Sequence, residues 1–248
     1  MDNLCDIVSC IGPNDHSLIE QFISNVTENI LNLNKIYIIT QKDVIETYKD
    51  KIPSVCFVDE TDFPFRKSYI DNLLKLPSRS GWYLQQLLKL YSPFIIKPLF
   101  ENFLFIDSDI FFHKKISFFK DNKILFNTGV EHWYPYFDHM KKVHPTLSRM
   151  KPVSGICHLM PMKKSIVKSL FEMIESYHKD IFWKVFLQFV DYGRPEIPGA
   201  SEYEILFNYT LLFHPKDCEI VRLDWRNTSR VDKNYGGVYE ACHHHMRN

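Results

Sequence analysis

The chain has 248 residues, of which 45% are hydrophobic, and its 30 Lys and Arg residues balance its 30 Asp and Glu residues. This length and apolar content allow a substantial core, whereas the zero net charge provides no basic field that would attract nucleic acid or an anionic membrane. No apolar run is long enough for a membrane span, and the first residues lack a signal-peptide pattern. We therefore expect a cytoplasmic protein that does not bind nucleic acid.

The cysteines are scattered along the chain and show no C-x-x-C spacing. In mostly apolar, strand-like contexts this pattern favours buried free thiols over disulfides or a zinc site. Such cysteine usage agrees with a reducing compartment.

The first third of the chain alternates short apolar strands with helical stretches. The pattern predicts strands over Cys5–Ile11, Lys35–Thr40 and Val55–Val58, and helices over Ser17–Leu31 and Val44–Tyr48. Alternation of this kind is typical of a doubly wound α/β sheet.

A further helix is predicted over Ser80–Tyr91, with Arg79 just before it. One face of this helix carries an indole, two amides and an ammonium at helical spacing: Trp82, Gln85, Gln86 and Lys89. Such a face suits hydroxyls and phosphates, and the Arg79 guanidinium could fork onto a diphosphate. The alternative is an ordinary solvated polar face.

The next strand, Phe103–Ile106, runs into Asp107-Ser108-Asp109 before the apolar sequence resumes. If extended geometry continues, Asp107 and Asp109 lie on the same side and could hold one divalent ion together with substrate phosphates. Hard oxygen ligands indicate Mg²⁺ or Mn²⁺. The alternative is a simple turn, for which Asp and Ser are common residues.

The second half is less regular. The pattern predicts a strand over Ile156–Met160, a helix over Lys163–Tyr177 continued by Ile181–Val190, and a helix over Glu202–Leu212. We predict a single domain over residues 1–248, with a nucleotide and metal half of about residues 1–120 and an acceptor half of about residues 121–248.

Four segments in this order carry a resemblance: Arg79–Lys89, Phe105–Asp109, Ser154–Met160 and Ser201–Glu204. They resemble a largely uncharacterised family of GT-A-fold glycosyltransferase-like proteins, a domain of unknown function, which is distantly similar to glycogenin-like transferases. The resemblance covers nearly the whole chain. It implies a GT-A-like α/β fold, with a central mostly parallel sheet flanked by helices, and a sugar-nucleotide donor.

Three histidines, His243 to His245, lie close to the last residue. In glycogenin-like transferases a histidine late in the chain ligates the metal, so the resemblance implies that His243 or His244 completes the coordination begun by Asp107 and Asp109. A nitrogen ligand favours Mn²⁺ over Mg²⁺. The alternative is the remnant of a purification tag.

Ser154 and Gly155 form a small step at the start of the predicted strand over 156–160, where a sugar could lie against the backbone. His158 would share the face of Ser154 and contact donor or acceptor, or else be an ordinary core histidine.

The segment Ser201–Glu204 fits the capping box S-x-x-E, which gives Glu204 a structural role. Glu202 then remains as a candidate to take a proton from an acceptor hydroxyl. The alternative is that Glu202 is the usual partner of the helix dipole.

Other candidate contacts follow the first and third strands or flank the motifs above. These donor contacts are Cys10, Ile11, Asp15, Glu60, Tyr83 and Ser108. The aromatic segment Glu131–His139 could form a wall for the acceptor or the donor sugar, although large aromatic side chains commonly pack onto the core instead.

These features predict a metal-dependent hexosyl- or pentosyltransferase that uses a nucleotide sugar, with a UDP-sugar favoured over a GDP-sugar. Glu202 would be the base if the reaction inverts the anomeric centre, and would position the acceptor if it retains configuration. The alternatives are a non-catalytic sugar-nucleotide binding protein and a sugar-1-phosphate nucleotidyltransferase. The latter is disfavoured because only Gly12 stands where a glycine-rich loop would hold a triphosphate.

Overall fold

A computed structural model describes residues 3–74, 77–191, 198–243 and 246. In chain order its elements are β1 (Cys5–Cys10), α1 (Ile19–Asn29), β2 (Leu33–Thr40), α2 (Lys42–Tyr48), β3 (Val55–Asp59), α3 (Lys67–Leu74), α4 (Pro77–Ile95), β4 (Asn102–Ile106), β5 (Ile110–Phe112), β6 (Phe119–Lys120), β7 (Lys123–Phe126), α5 (Tyr134–Val143), β8 (Leu159–Lys163), α6 (Lys164–His178), α7 (Phe182–Gln188), α8 (Glu202–Phe213), β9 (Cys218–Ile220), β10 (Trp225–Asn227) and β11 (Tyr239–Ala241).

A five-stranded sheet in the order β3-β2-β1-β4-β8 forms the centre of the fold. The first four strands in this order are parallel, and β8 runs antiparallel to β4. Every residue of β1 and β4 is buried, which explains why both strands are nearly continuous apolar runs. The predicted class, an α/β fold with a central mostly parallel sheet flanked by helices, is confirmed.

Helix α4 connects the central sheet to the helices of the second half. It contacts β1, α3, α6 and α8. Its apolar side, which includes Leu87 and Tyr91, is buried, and Tyr91 packs edge-on against Phe171 of α6 at a centroid distance of 5.0 Å. This packing fixes α4 beside the carboxyl ends of the central strands.

A small sheet brings the last part of the chain back to β5. Strand β11 pairs antiparallel with β5 and parallel with β10. Just beyond β11, the Cys242 amide donates to the Asp109 carbonyl at 2.8 Å. The residues directly after β11 therefore lie against the Asp107–Asp109 segment.

The predicted strand Phe103–Ile106 is confirmed as β4, but its extension to Asp109 and the position of one other predicted strand are wrong. Strand β4 ends at Ile106, and the following residues turn, with the Ile110 amide 3.3 Å from the Asp107 carbonyl, so extended geometry does not continue to Asp109. The strand predicted over 156–160 is β8 instead, at Leu159–Lys163. His158 has a φ of 64° in the left-handed region, so an extended strand cannot pass through it.

Two helix boundaries also differ from prediction. A 3₁₀ turn over Pro13–Leu18 precedes α1, which begins at Ile19 rather than Ser17. Helix α4 begins at Pro77, a favoured first residue, so Arg79 lies inside it. The single-domain organisation stays a prediction.

The cysteines of the chain are free thiols, as expected, and four of them are buried. In the part of the chain that the structure describes, no helix is both long and apolar enough to cross a membrane.

Candidate active site

A cavity of about 580 Å³ opens where β1 and β4 end. Its lining comes from both halves of the chain: Asn14, Asp15, Arg79, Trp82, Gln85, Lys89, Asp107, Ser108, Asp109, Glu131, Tyr136, Ile156, His158, Pro198, Ser201, Glu202, Tyr203, Asn227, His243 and Met246. The carboxyl ends of parallel strands are the usual ligand-binding edge of such a sheet.

One wall of the cavity is a buried charge cluster, the Lys89 cluster, formed by Lys89, Asp107, Glu202 and Tyr203. The Lys89 ammonium lies 2.6 Å from Asp107 Oδ1, 2.9 Å from Glu202 Oε1 and 3.0 Å from the Tyr203 hydroxyl. Lys89 is 2% exposed and Glu202 is 4% exposed. The predicted alternative of a solvated polar face is therefore wrong for Lys89.

Two opposing effects act on the ionisation of this cluster. Burial alone would lower the pKa of Lys89, but the charges of Asp107 and Glu202 raise it well above its usual value. Burial alone would raise the pKa of Asp107, but Lys89, followed by His158, lowers it below its usual value. The cluster is therefore held with Lys89 cationic and Asp107 anionic.

Beside this cluster, Asp109 faces an imidazole from the end of the chain. His243 Nδ1 lies 3.0 Å from Asp109 Oδ2, and His243 Nε2 lies 3.1 Å from Asn227 Oδ1. Burial lowers the pKa of His243, but the hydrogen bond to Asp109 and the negative charges of Asp109, Asp107 and Glu131 together raise it above its usual value. The ring of His158 lies 4.3 Å from that of His243, and His158 Nδ1 is 3.7 Å from Asp107 Oδ2.

The chemistry of this donor set fits a divalent ion. Two carboxylates and two imidazoles converge, and the buried Nε2 of His158 has no hydrogen-bond partner among the described residues. Within residues 3–74, 77–191, 198–243 and 246, no three such side chains form a preassembled metal site. An ion of this kind commonly takes one or two carboxylates and completes its shell with substrate phosphates and water.

A second cavity of about 400 Å³ adjoins the first and shares Asp15, Trp82 and Gln85 with it. Its lining includes the predicted contacts Cys10, Ile11 and Glu60. Burial raises the pKa of Glu60. The candidate residues of the first and third strands are thus brought together with the start of α4.

Four predicted contacts line neither cavity and hold the walls instead. The Tyr83 hydroxyl accepts from the Gly199 amide at 3.1 Å. Gln86 Oε1 accepts from the Glu202 amide at 3.0 Å. Ser154 Oγ donates to Glu204 Oε1 at 2.6 Å. A Cβ on Gly155 would lie 2.6 Å from Phe207 Cβ, so this glycine allows close packing of α8. Their role as direct donor contacts stays a prediction.

The capping box at α8 is only half formed. Ser201 Oγ accepts from the Glu204 amide at 3.3 Å, as predicted. The Glu204 carboxylate does not reach back, because Ser154 and Asn208 bind it inside the core. Burial raises the pKa of Glu204. Glu204 therefore holds the Ser154 segment against α8.

The remaining predicted residues fall as follows. Arg79, Ser108, His158 and Glu202 line the larger cavity, and Ser108 Oγ donates to Asp15 Oδ2 at 3.3 Å. The candidate ligand His244 lies outside the described residues, as does His245.

Sequence reasoning missed several residues of the cavity wall. Tyr203 and Asn227 line it without having been singled out, and Glu131 and Tyr136 were noted only as part of an aromatic segment. Tyr203 stands between two glutamates at a helix start, which was its one local signal. Asn227 had none, because its position depends on the pairing of β10 with β11.

Comparison with known proteins gives the family. Residues 17–226 match the model of a family of unknown function, DUF6492, and the chain belongs to this family. The predicted membership in a domain-of-unknown-function family is therefore confirmed. A comparison with curated protein sequences gave no match.

Similar solved structures are glycosyltransferases. The chain is 10% identical to mouse xyloside xylosyltransferase 1 in its apo form, with a TM-score of 0.49, and the similarity covers 90% of this chain and 86% of that one. It is 10% identical to the galactosyltransferase LgtC in complex with donor and acceptor sugar analogues, with a TM-score of 0.47 and coverage of 95% and 86%. For the glycosyltransferase GlyE of Streptococcus pneumoniae TIGR4 the identity is 10%, the TM-score 0.39 and the coverage 88% and 45%. All three TM-scores are below 0.5, so these similarities support no conclusion about this chain.

Proposed function

We propose that the protein is a metal-dependent glycosyltransferase that moves a hexosyl or pentosyl group from a nucleoside diphosphate to a hydroxyl acceptor. The observation that carries this proposal is the cavity of about 580 Å³ in which the Asp107–Asp109 turn faces Arg79, Lys89 and His243. Cationic groups and paired carboxylates at the carboxyl edge of a parallel sheet suit a diphosphate. A UDP-sugar is favoured over a GDP-sugar as the donor.

The metal would be held by Asp107, Asp109 and His243. When bound, a divalent cation there neutralises charge on the diphosphate. The fit rests on the oxygen and nitrogen donors of these side chains and on the converging ring of His158.

Arg79 and Lys89 would have different tasks toward the donor. Arg79 lines the cavity from the first turns of α4, where a guanidinium donates to two phosphate oxygens at once. The Lys89 ammonium is already bound by two carboxylates and a hydroxyl, so its task is to fix Asp107 and Glu202. This charge arrangement is organised before the substrate arrives.

Glu202 fits a positioning role better than the role of general base. Its carboxylate is buried and accepts from the Lys89 ammonium at 2.9 Å. One of its oxygens is therefore already engaged by Lys89, so the carboxylate is held in place and suits holding a ligand hydroxyl rather than moving a proton. We infer that Glu202 accepts hydrogen bonds from sugar hydroxyls and orients them.

The test is release of nucleoside diphosphate from a panel of UDP-sugars and GDP-sugars, measured with Mn²⁺ and with a chelator. We expect slow hydrolysis or transfer with Mn²⁺ and none with the chelator, and loss of the activity in Asp109→Asn. Asp50→Asn is the matched control, since Asp50 is exposed and lies outside both cavities.

Metal-dependent binding without release would instead identify a sugar-nucleotide binding protein. Absence of both binding and release across the panel would contradict the proposal.

A further inference from the structure

The segment that leads from β7 into the first turn of α5 exposes apolar side chains beside the cavity. We call residues 129–136 the acceptor loop. Val130 is 88% exposed, Tyr134 79% and Trp133 45%, while Glu131 and Tyr136 of the same loop line the cavity. Neighbouring exposed apolar groups next to a polar cavity mark an interaction site.

The base of the acceptor loop is firmly held. Gly129 and Ser154 exchange two backbone hydrogen bonds, of 2.9 and 3.0 Å. A Cβ at Gly129 would lie 2.1 Å from the Ile156 carbonyl oxygen. The two backbone segments can therefore approach this closely only because residue 129 is a glycine. The exposed side chains are therefore carried on a fixed support.

The tip of the loop is ordered by His132. Its Nδ1 donates to the Val130 carbonyl at 2.9 Å, and its ring packs against Phe137 with a centroid distance of 6.0 Å. His132 thus turns inward, whereas Trp133 and Tyr134 on either side of the α5 start remain accessible. The contacts of His132 hold the backbone of the loop in the conformation that leaves the rings of Trp133 and Tyr134 exposed to solvent.

Glu131 differs from the other carboxylates of the cavity. Asp107 and Glu202 bind Lys89, Asp109 binds His243, and Asp15 accepts from Ser108. Glu131 is exposed and makes no hydrogen bond or ion pair with any residue that the structure describes. A carboxylate of this kind is an acceptor for hydroxyl groups and repels phosphates. Glu131 is therefore a carboxylate of the cavity that is available to the hydroxyl groups of a ligand.

We propose that the acceptor loop binds a carbohydrate acceptor, an inference that rests on the proposed function for the identity of the transferred group. Glu131 accepts hydrogen bonds from acceptor hydroxyls, and Trp133 and Tyr134 pack against the apolar C–H faces of a sugar ring. A sugar offers both kinds of surface, and aromatic side chains present large rigid contact areas. An anionic membrane fits poorly, because residues 129–136 contain Glu131 and neither Lys nor Arg.

The test uses a panel of methyl hexosides and methyl pentosides, with binding to the full chain measured by saturation-transfer NMR titration in the presence of UDP and Mn²⁺. We expect at least one glycoside to bind the parent, and Tyr134→Ala to weaken it about five- to tenfold, the scale of one lost aromatic contact. Glu131→Gln should weaken it as well. Tyr177→Ala is the matched control, since Tyr177 is an exposed aromatic residue on α6 outside the cavity, and it should bind like the parent.

Nucleotide binding, followed in the same samples, keeps the two proposals separate. If UDP and GDP fail to bind the parent, the proposed function fails. If nucleotide binds but no glycoside does, or if glycoside binding is equal in parent, Tyr134→Ala and Glu131→Gln, the acceptor-loop proposal is overturned. Binding of the loop to phosphatidylserine vesicles, lost in Tyr134→Ala, would overturn it in favour of a membrane contact.

Discussion

The Lys89 cluster and the acceptor loop face the same cavity but differ in burial and in the pairing of their charges. In the Lys89 cluster an ammonium with 2% exposure binds two carboxylates and a phenol hydroxyl. In the acceptor loop the carboxylate of Glu131 is exposed, and the neighbouring rings reach into solvent. The first region is complete without substrate, whereas the second offers groups that a ligand could use.

This difference has an energetic consequence. A buried charge that loses its partner keeps its desolvation penalty. The contacts of an exposed side chain can instead be replaced by contacts with water, at little cost in the free energy of unfolding. Substitutions in the Lys89 cluster should therefore change stability strongly, and those in the acceptor loop should change binding and hardly affect stability.

The largest effect is expected for Lys89→Met. It leaves Asp107 and Glu202 with a buried negative charge and no ammonium, so we expect a loss of about 3–5 kcal/mol in the free energy of unfolding. Urea denaturation measures this loss. Lys67→Met, which removes a half-exposed ion pair with Asp71, should cost less than about 1 kcal/mol. If Lys89→Met lowered the free energy of unfolding no more than Lys67→Met does, the proposed difference between the two regions would be contradicted.

The next effect concerns His139 on α5, the helix that follows the acceptor loop. His139 Nε2 donates to the Phe186 carbonyl at 2.7 Å, and burial lowers the pKa of this residue from 6.5 to about 4. As the pH falls, His139 is therefore protonated in the unfolded chain before it is protonated in the folded chain. The stabilisation is complete above pH 6.5 and is lost as the pH falls toward 4, by up to about 3 kcal/mol.

This pH dependence is measured by urea denaturation at several pH values between 7 and 4. His139→Gln should show a flatter profile over this range, because glutamine does not titrate. A profile as steep as that of the parent would show that other groups cause the pH dependence.

An intermediate effect is expected at the start of α8. Glu204→Ala leaves the buried hydroxyl of Ser154 and the amide of Asn208 without their carboxylate partner, and should cost about 1–3 kcal/mol in urea denaturation. Glu204→Gln should cost less, because the amide keeps an acceptor oxygen. If Glu204→Ala unfolded at the parent's urea concentration, Glu204 would have no part in holding Ser154.

The smallest effect on stability is expected for Tyr134→Ala. Because Tyr134 is 79% exposed, its loss should change the free energy of unfolding by no more than about 0.5 kcal/mol. The same urea denaturation measures it. A loss above about 1 kcal/mol would mean that the ring supports the fold, and the contrast between the two regions would disappear.

The sequence predicted the parts of this site that depend on neighbouring residues. The apolar run before Asp107 indicated a buried strand, and the helical spacing of Trp82, Gln85 and Lys89 indicated one face of α4. Both predictions hold in outline, because strand and helix periodicity are local properties. The turn after Ile106 was not predicted, because Asp-Ser-Asp is compatible with both extended and turned backbone.

The partners in the site could not be predicted in the same way. Lys89 and Glu202 are 113 residues apart, and Asp109 and His243 are 134 apart. Which distant side chains meet depends on how β11 pairs with β5 and how α8 packs on α4, and periodicity does not encode these contacts. The left-handed backbone at His158 was missed for the same reason, since tertiary packing imposes it.

The central claim is that the Asp107–Asp109 turn binds a metal and a nucleoside diphosphate together. Calorimetric titration of UDP and GDP into the parent and into Asp109→Ala, each with Mn²⁺ and with a chelator, tests this claim most directly. We expect the parent to bind nucleotide tightly only with Mn²⁺, and Asp109→Ala to lose this metal-dependent binding while keeping the parent's far-UV circular dichroism spectrum, since the contact to His243 that the substitution removes lies at the cavity and not in the core of the central sheet. Equal affinity of Asp109→Ala and parent in the presence of Mn²⁺ would contradict the account.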